Sequence, residues 1–316
     1  MKSRLLVVFS VFALAGAAPA ADSQLLKLVM PDAKVVSVID FDRVKATSFG
    51  QFVLSQLPAG DSGLNDLVTA TGFDPRRDIH EIMMASPVDP QSKSGLLLVR
   101  GSFDGQRILA LFKLSGKSPE MYHGVGIVSS GQPAHGISHA MAFLDDSTVA
   151  AGDLASVRGA IDRRGVDTRL EASLADRISR TSVNQDIWVV STAPISSFAS
   201  AMPDKNVKGA LQGDLIQAIQ QSSGGIRFGN MIEISGELTA RTDKDAASLA
   251  DVVKFFMNMA AGHGQGGGLG QLTALLQNLT VNAEANAVKL FVAIPENDLE
   301  TLIKVSGGRA VKGPRI

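Results

Sequence analysis

Residues 34–41, KVVSVIDF, form a β-branched run that predicts a strand. Phe49, Phe52, Val53 and Leu57 follow at helical spacing. Leu64, Leu67, Val68 and Thr71 share one helical face, with Asp61 as cap and Gly72 as stop, which predicts a helix over 62–71. Residues 78–86 and 95–102 read as strands joined by a Pro- and Ser-containing turn at 87–94. Asp104 is placed to cap a helix holding Ile108, Leu111 and Phe112. Strands are predicted near 121–129, 137–144 and 147–151, and a helix runs from Asp153 to Arg163 or Arg164.

The second half offers a strand at 186–192, a short helix at 195–202, a helix near 207–221 and a strand from about 227 to 240. Thr242 with Asp245 opens a helix whose buried face holds Leu249, Val252, Val253 and Phe256. A helix over 269–278, a hairpin around Asn286 and a last helix from Glu296 to Lys304 complete the chain. Strands joined by short turns outnumber helical crossovers. The expected class is therefore α+β, with largely antiparallel sheet and helices packed on one face. Gly101 to Asp104 and Gly236 to Thr242 each pass from strand to helix. The halves read either as two degenerate repeats or as ordinary reuse of strand–helix units. The expected division is 1–20, 21–170, 171–305 and a flexible basic tail, 306–316, with the two halves packed as one unit.

The N-terminus sets an expected address. Lys2 and Arg4 precede an apolar run, Leu5 to Ala15, broken only by Ser10, and Ala18-Pro19-Ala20 supplies small residues for cleavage. This is the layout of a secretory signal peptide over 1–20. Removing Lys2 and Arg4 from the 30 basic residues leaves 28 against 31 acids, a charge of −3. That balance speaks against nucleic acid as a partner. The sequence has no cysteine, which excludes disulfides, thiolate metal sites, a cysteine nucleophile and a lipidated cysteine after Ala20. With an Ala-rich signal, this predicts a bacterial periplasmic or secreted protein with no transmembrane segment in the mature chain. One Trp and one Tyr leave little aromatic surface for stacking sugars or bases.

Motifs narrow the chemistry by failing. Gly60-Asp61-Ser62-Gly63 spells a serine-protease tetrapeptide, but the first histidine, His80, lies downstream of Ser62. Gly262, Gly264 and Gly267 have GxGxxG spacing but follow a helix, where a dinucleotide loop needs a strand. His123, His135 and His139 are the candidate metal ligands. Pro133 and Gly136 break any helix through that pair, and on a strand residues four apart sit about 13 Å apart. Arg76 and Arg77 could clamp an anion, or pair locally with Asp74 and Asp78. Asp40 and Asp42 could do acid–base work, or cap a helix.

PDAKVV near the mature start, GFDPRRDI at 72–79 and AGDLASVRGAIDRR at 151–164 resemble an uncharacterised family of secreted bacterial proteins. The resemblance covers most of the chain and implies the envelope address, with no activity to carry over. The reading is a non-catalytic envelope or secreted protein that needs no cofactor. It would bind or scaffold an envelope protein, a polymer or a small apolar ligand. The alternatives are a metal- or carboxylate-dependent hydrolase of envelope material, and a lipid carrier using Met30, Met83, Met84, Met121 and Met141.

Overall fold

The computed structural model describes residues 23–55, 68–88, 94–114, 116, 118–129, 139–201, 213–263 and 278–307. The N-terminal signal pattern, Ser62, His135, residues 269–277 of the expected helix and residues 308–316 of the tail lie outside them, and the last helix runs on to Gly307. Among the described residues, twelve strands form one sheet. In chain order they are β1 (Val35–Asp40), β2 (Ile79–Ser86), β3 (Leu96–Gly101), β4 (Glu120–Tyr122), β5 (Val125–Ser129), β6 (His139–Phe143), β7 (Thr148–Asp153), β8 (Ile187–Ser191), β9 (Ile219–Arg227), β10 (Met231–Ala240), β11 (Thr280–Glu284) and β12 (Ala287–Pro295). The spatial order is β11-β12-β10-β9-β8-β1-β2-β3-β7-β6-β5-β4. Every adjacent pair is antiparallel.

β1 and β8 meet near the centre, and the wiring outward is alike on both sides except that the first carries an additional hairpin, β4–β5. Three strands meander (β1-β2-β3, β8-β9-β10), and a helical crossover follows. A hairpin then docks with its second strand, β7 or β12, against the third strand of the meander. The corresponding helices are α5 (Gly105–Leu114) and α9 (Asp243–His263). Shared local chemistry opens them. Asp104 Oδ1 accepts from Arg107 N at 2.9 Å, and Thr242 Oγ1 accepts from Asp245 N at 3.1 Å. Gly101 ends β3 as expected, whereas Gly236 sits inside β10, so the topological counterpart of Gly101 is Ala240.

Two cores follow from strand alternation. The first joins Val36, Met83, Leu98, Trp188 and Val190 of the sheet to α1 (Ser23–Leu28), α6 (Leu154–Asp162) and α7 (Ala172–Thr181). The second joins Ala240, Val281 and Val288 to Leu249 and Ala250 of α9. Trp188 pairs with Gly225, which pairs with Ser235, so Leu238 and Ala240 point to the opposite face from Trp188. Helices on one face therefore describe the first core, and α9 covers the other face.

Several elements differ from expectation, and the helices α1 and α7 were not expected at all. The helix expected over 207–221 is described only as Asp214–Gln217 (α8), and β9 begins at Ile219. Gln220 to Gly225 lacks apolar alternation and is held as strand by partners on both sides, β8 and β10. The strand expected over 121–129 is the β4–β5 hairpin, turned at His123 and Gly124, both at positive φ (47° and 80°). Among the described residues, no helix is long and apolar enough to cross a membrane.

Candidate functional site: a cationic cleft at the end of α6

Asp153 starts α6 by accepting from Ser156 N at 2.9 Å and Ser156 Oγ at 2.6 Å. Val157, Ala160 and Ile161 anchor the helix in the first core. Its rotation is thereby fixed, and its end delivers Arg163 beside α1. The Arg163 N–H donates to Gly159 O at 3.1 Å. Its side chain folds back over Gly159, where a Cβ would lie 2.9 Å from Nη1. Nε then donates to Leu28 O at 2.9 Å. Nη2 is buried and meets no hydrogen-bond partner among the described residues.

This guanidinium lines a cleft of about 440 Å³ between α1, the β6–β7 turn and the chain after α6. Lys27, Arg100, Arg163 and Arg164 face two acids there, Asp145 and Asp167. Asp145 is already engaged, accepting from Ser147 N and Oγ at 2.8 Å each. Burial alone would raise its pKa, and the hydrogen bonds from Ser147 and Thr148 outweigh that and lower it. Asp167 pairs loosely with Arg169 at 3.8 Å. Arg100 donates to Gln24 Oε1 at 3.4 Å. Desolvation lowers the pKa of Arg163, and the nearby charges of Asp162 and Asp32 offset it only in part. A half-buried cation with an idle N–H is costly, and an anion in the cleft removes that cost. The cleft volume suits a small ligand.

A second cleft, about 380 Å³, lies over β9 and β10 and contains the buried Arg177. All of that guanidinium's donors are taken by Gln221, Ser223, Glu237 and Thr239, so it fastens the fold.

The residues singled out by sequence are dispersed. Arg76 binds Asp74 through Nε and Nη2 (3.0 and 2.9 Å), and Arg77 binds Asp78 (2.6 and 2.8 Å). The paired guanidiniums hold both carboxyls below their ordinary value. These are local pairs closing the turn of α4 (Pro75–Asp78), where Asp74 also caps by accepting from Arg76 N. His123 stacks on Tyr122 and lies 3.3 Å from Asp162, while His139 starts β6 opposite Asp153. No group of three His, Cys, Asp or Glu among the described residues is placed to hold a metal ion. Met83 is buried in the first core, whereas its neighbour Met84 on the opposite face and Met121 on β4 are exposed, so these methionines line no common pocket. Asp40 caps α2 (Phe41–Lys45), as the capping reading required, by accepting from Arg43 N at 3.0 Å. Sequence reasoning took Arg163 and Arg164 only as a helix end. The available signal was two adjacent cations with no acid three or four residues before either.

An α+β protein built on one antiparallel sheet is thus defined. No family model and no curated protein matches this chain. Its fold is similar to two solved structures of a protein designated TP0453. Crystal form III has a TM-score of 0.53 at 11% identity, covering 88% of this chain and 96% of that one. Crystal form I has a TM-score of 0.50 at 11% identity, covering 90% and 97%. At that identity the likeness concerns the fold.

Proposed function

We propose that this chain is a binding protein of the bacterial envelope or secreted space that takes an anionic group, phosphate or carboxylate, into the cleft at the end of α6. The observation that carries this reading is the buried, idle Nη2 of Arg163 in a cleft where four cations face two acids. Arg163 supplies a fixed donor, because its Nε is tied to Leu28 O. Lys27 and Arg164 add exposed charge at the rim. Hydrogen bonds lower the pKa of Asp145, so it offers the ligand no proton. The N-terminal charge and apolar pattern supports the address. The common wiring of the halves supports a degenerate duplication.

Thermal unfolding in phosphate, acetate or chloride at matched ionic strength tests the reading. Ligand at 100 times its Kd adds about 2.7 kcal/mol to stability. Phosphate or acetate is expected to raise the melting temperature where chloride does not, and Arg163→Met is expected to abolish the difference. Equal melting curves in all three salts would overturn the reading.

A further inference from the structure

We infer that Asp42, His80 and Ser102 form a hydrogen-bonded triad that makes Ser102 an acyl-accepting nucleophile. Ser102 Oγ lies 3.4 Å from His80 Nε2, and His80 Nδ1 lies 3.0 Å from both carboxylate oxygens of Asp42. The carboxylate fixes the tautomer. With the proton on Nδ1 facing Asp42, Nε2 presents its lone pair to the serine hydroxyl. The site is far from the anion cleft in composition, shares no residue with it, and does not depend on it.

Three features hold this arrangement. His80 is the extra residue of a bulge in the β2–β3 ladder, which pairs Ile79 with Gly101 and then Glu81 with Arg100. Such a bulge re-aims a side chain that the regular pleat would direct elsewhere. Lys45 Nζ ties Asp42 to the backbone before His80, lying 3.1 Å from Asp42 Oδ1 and donating to Ile79 O at 2.8 Å and Arg77 O at 3.3 Å. Ser102 is pinned by its N–H, which donates to Asp78 O at 2.8 Å. That approach requires Gly101, where a Cβ would lie 2.4 Å from Asp78 O. Ser102 is exposed, so an acyl donor reaches it from solvent.

The chemistry balances with water as the only co-reactant. Ser102 Oγ bonds to the ester carbonyl carbon while Nε2 takes the hydroxyl proton. The bond from that carbon to the alcohol oxygen breaks, and His80 returns the proton to the leaving alcohol. Water then attacks the acyl-serine, giving its proton to Nε2, and the acid departs as the proton passes back to Ser102. General-base assistance contributes about 10²–10⁴-fold, enough for aryl esters and thioesters but not for amides. The substrate class is therefore small activated esters.

The test is labelling of the full protein with an aryl fluorophosphonate, read by peptide mass spectrometry, alongside hydrolysis of p-nitrophenyl acetate. One adduct is expected, on Ser102. Ser102→Ala is expected to abolish both signals. His80→Gln and Asp42→Asn, with unchanged melting temperatures, are expected to slow labelling at least tenfold. Absence of a Ser102 adduct on the wild-type protein would overturn the triad, as would labelling at equal rate in His80→Gln.

Discussion

Arg177 is the buried cation that ties α7 to the sheet. It projects from α7 between Leu174 and Ile178, which belong to the first core, and its guanidinium crosses to β9 and β10. It is 4% exposed. Nε and Nη2 donate to Gln221 Oε1 at 3.1 and 2.8 Å, Nη2 also to Thr239 Oγ1 at 2.6 Å, and Nη1 to Ser223 Oγ at 3.4 Å and Glu237 Oε1 at 3.2 Å. Arg177→Met keeps much of the volume and deletes every donor, leaving Glu237 and Gln221 facing α7 without their partner. Breaking a buried pair from one side costs about 3–5 kcal/mol. Because the Glu237 side chain is 36% exposed and can rehydrate, the lower end, about 3 kcal/mol, applies. For a chain this size, each kcal/mol moves the melting temperature by about 2–4 °C, so a fall of about 6–12 °C is expected. Glu237→Gln retains an acceptor and is expected to cost about 1 kcal/mol. Urea unfolding monitored by circular dichroism supplies both numbers. A loss below about 1 kcal/mol for Arg177→Met would show that α7 is not fastened to β9 and β10 through this residue.

Arg163→Met removes one good hydrogen bond and one idle buried donor, so without anion its stability is expected within about 1 kcal/mol of wild type by urea unfolding. Trp188, the one tryptophan, is 3% exposed, so blue-shifted emission is expected to move red at the global unfolding transition, and Trp188→Ala is expected to cost about 3–5 kcal/mol. Gly101→Ala is expected to displace Ser102, lowering both the melting temperature and fluorophosphonate labelling, measured on one sample. Asp74 and Asp78 have lowered pKa values from their arginine partners, so their stabilisation is complete above the ordinary value of 3.8 and fades as pH falls through the lowered values. Asn substitutions at both are expected to flatten that acid limb of the melting temperature against pH.

Elements whose chemistry is local were legible in the sequence. Asp40, Asp104 and Thr242 cap the helices expected of them, because a cap needs only its own next three residues. β1 announced itself by its β-branched run. β9 did not, because its glycine- and serine-rich middle becomes strand only between two partners. The two chemical sites were illegible for the same reason at longer range. Arg163 acquires its character from Leu28, 135 residues away. His80 meets Asp42 across 38 residues and Ser102 across 22, through the β2–β3 ladder and its bulge. The tetrapeptide at 60–63 drew attention to Ser62, whereas the serine beside a histidine is Ser102. Neither site carries a spacing motif, since strand register, not sequence distance, brings its members together.

An anion in the cleft at the end of α6 is the proposal on which the function rests. A crystal of the protein soaked in selenate, with anomalous differences measured at the selenium edge, tests it most directly. The account predicts a peak within hydrogen-bonding distance of Arg163 Nη2, flanked by Lys27 and Arg164, that is absent in Arg163→Met. Selenate found only elsewhere on the surface, with this cleft empty, would contradict it.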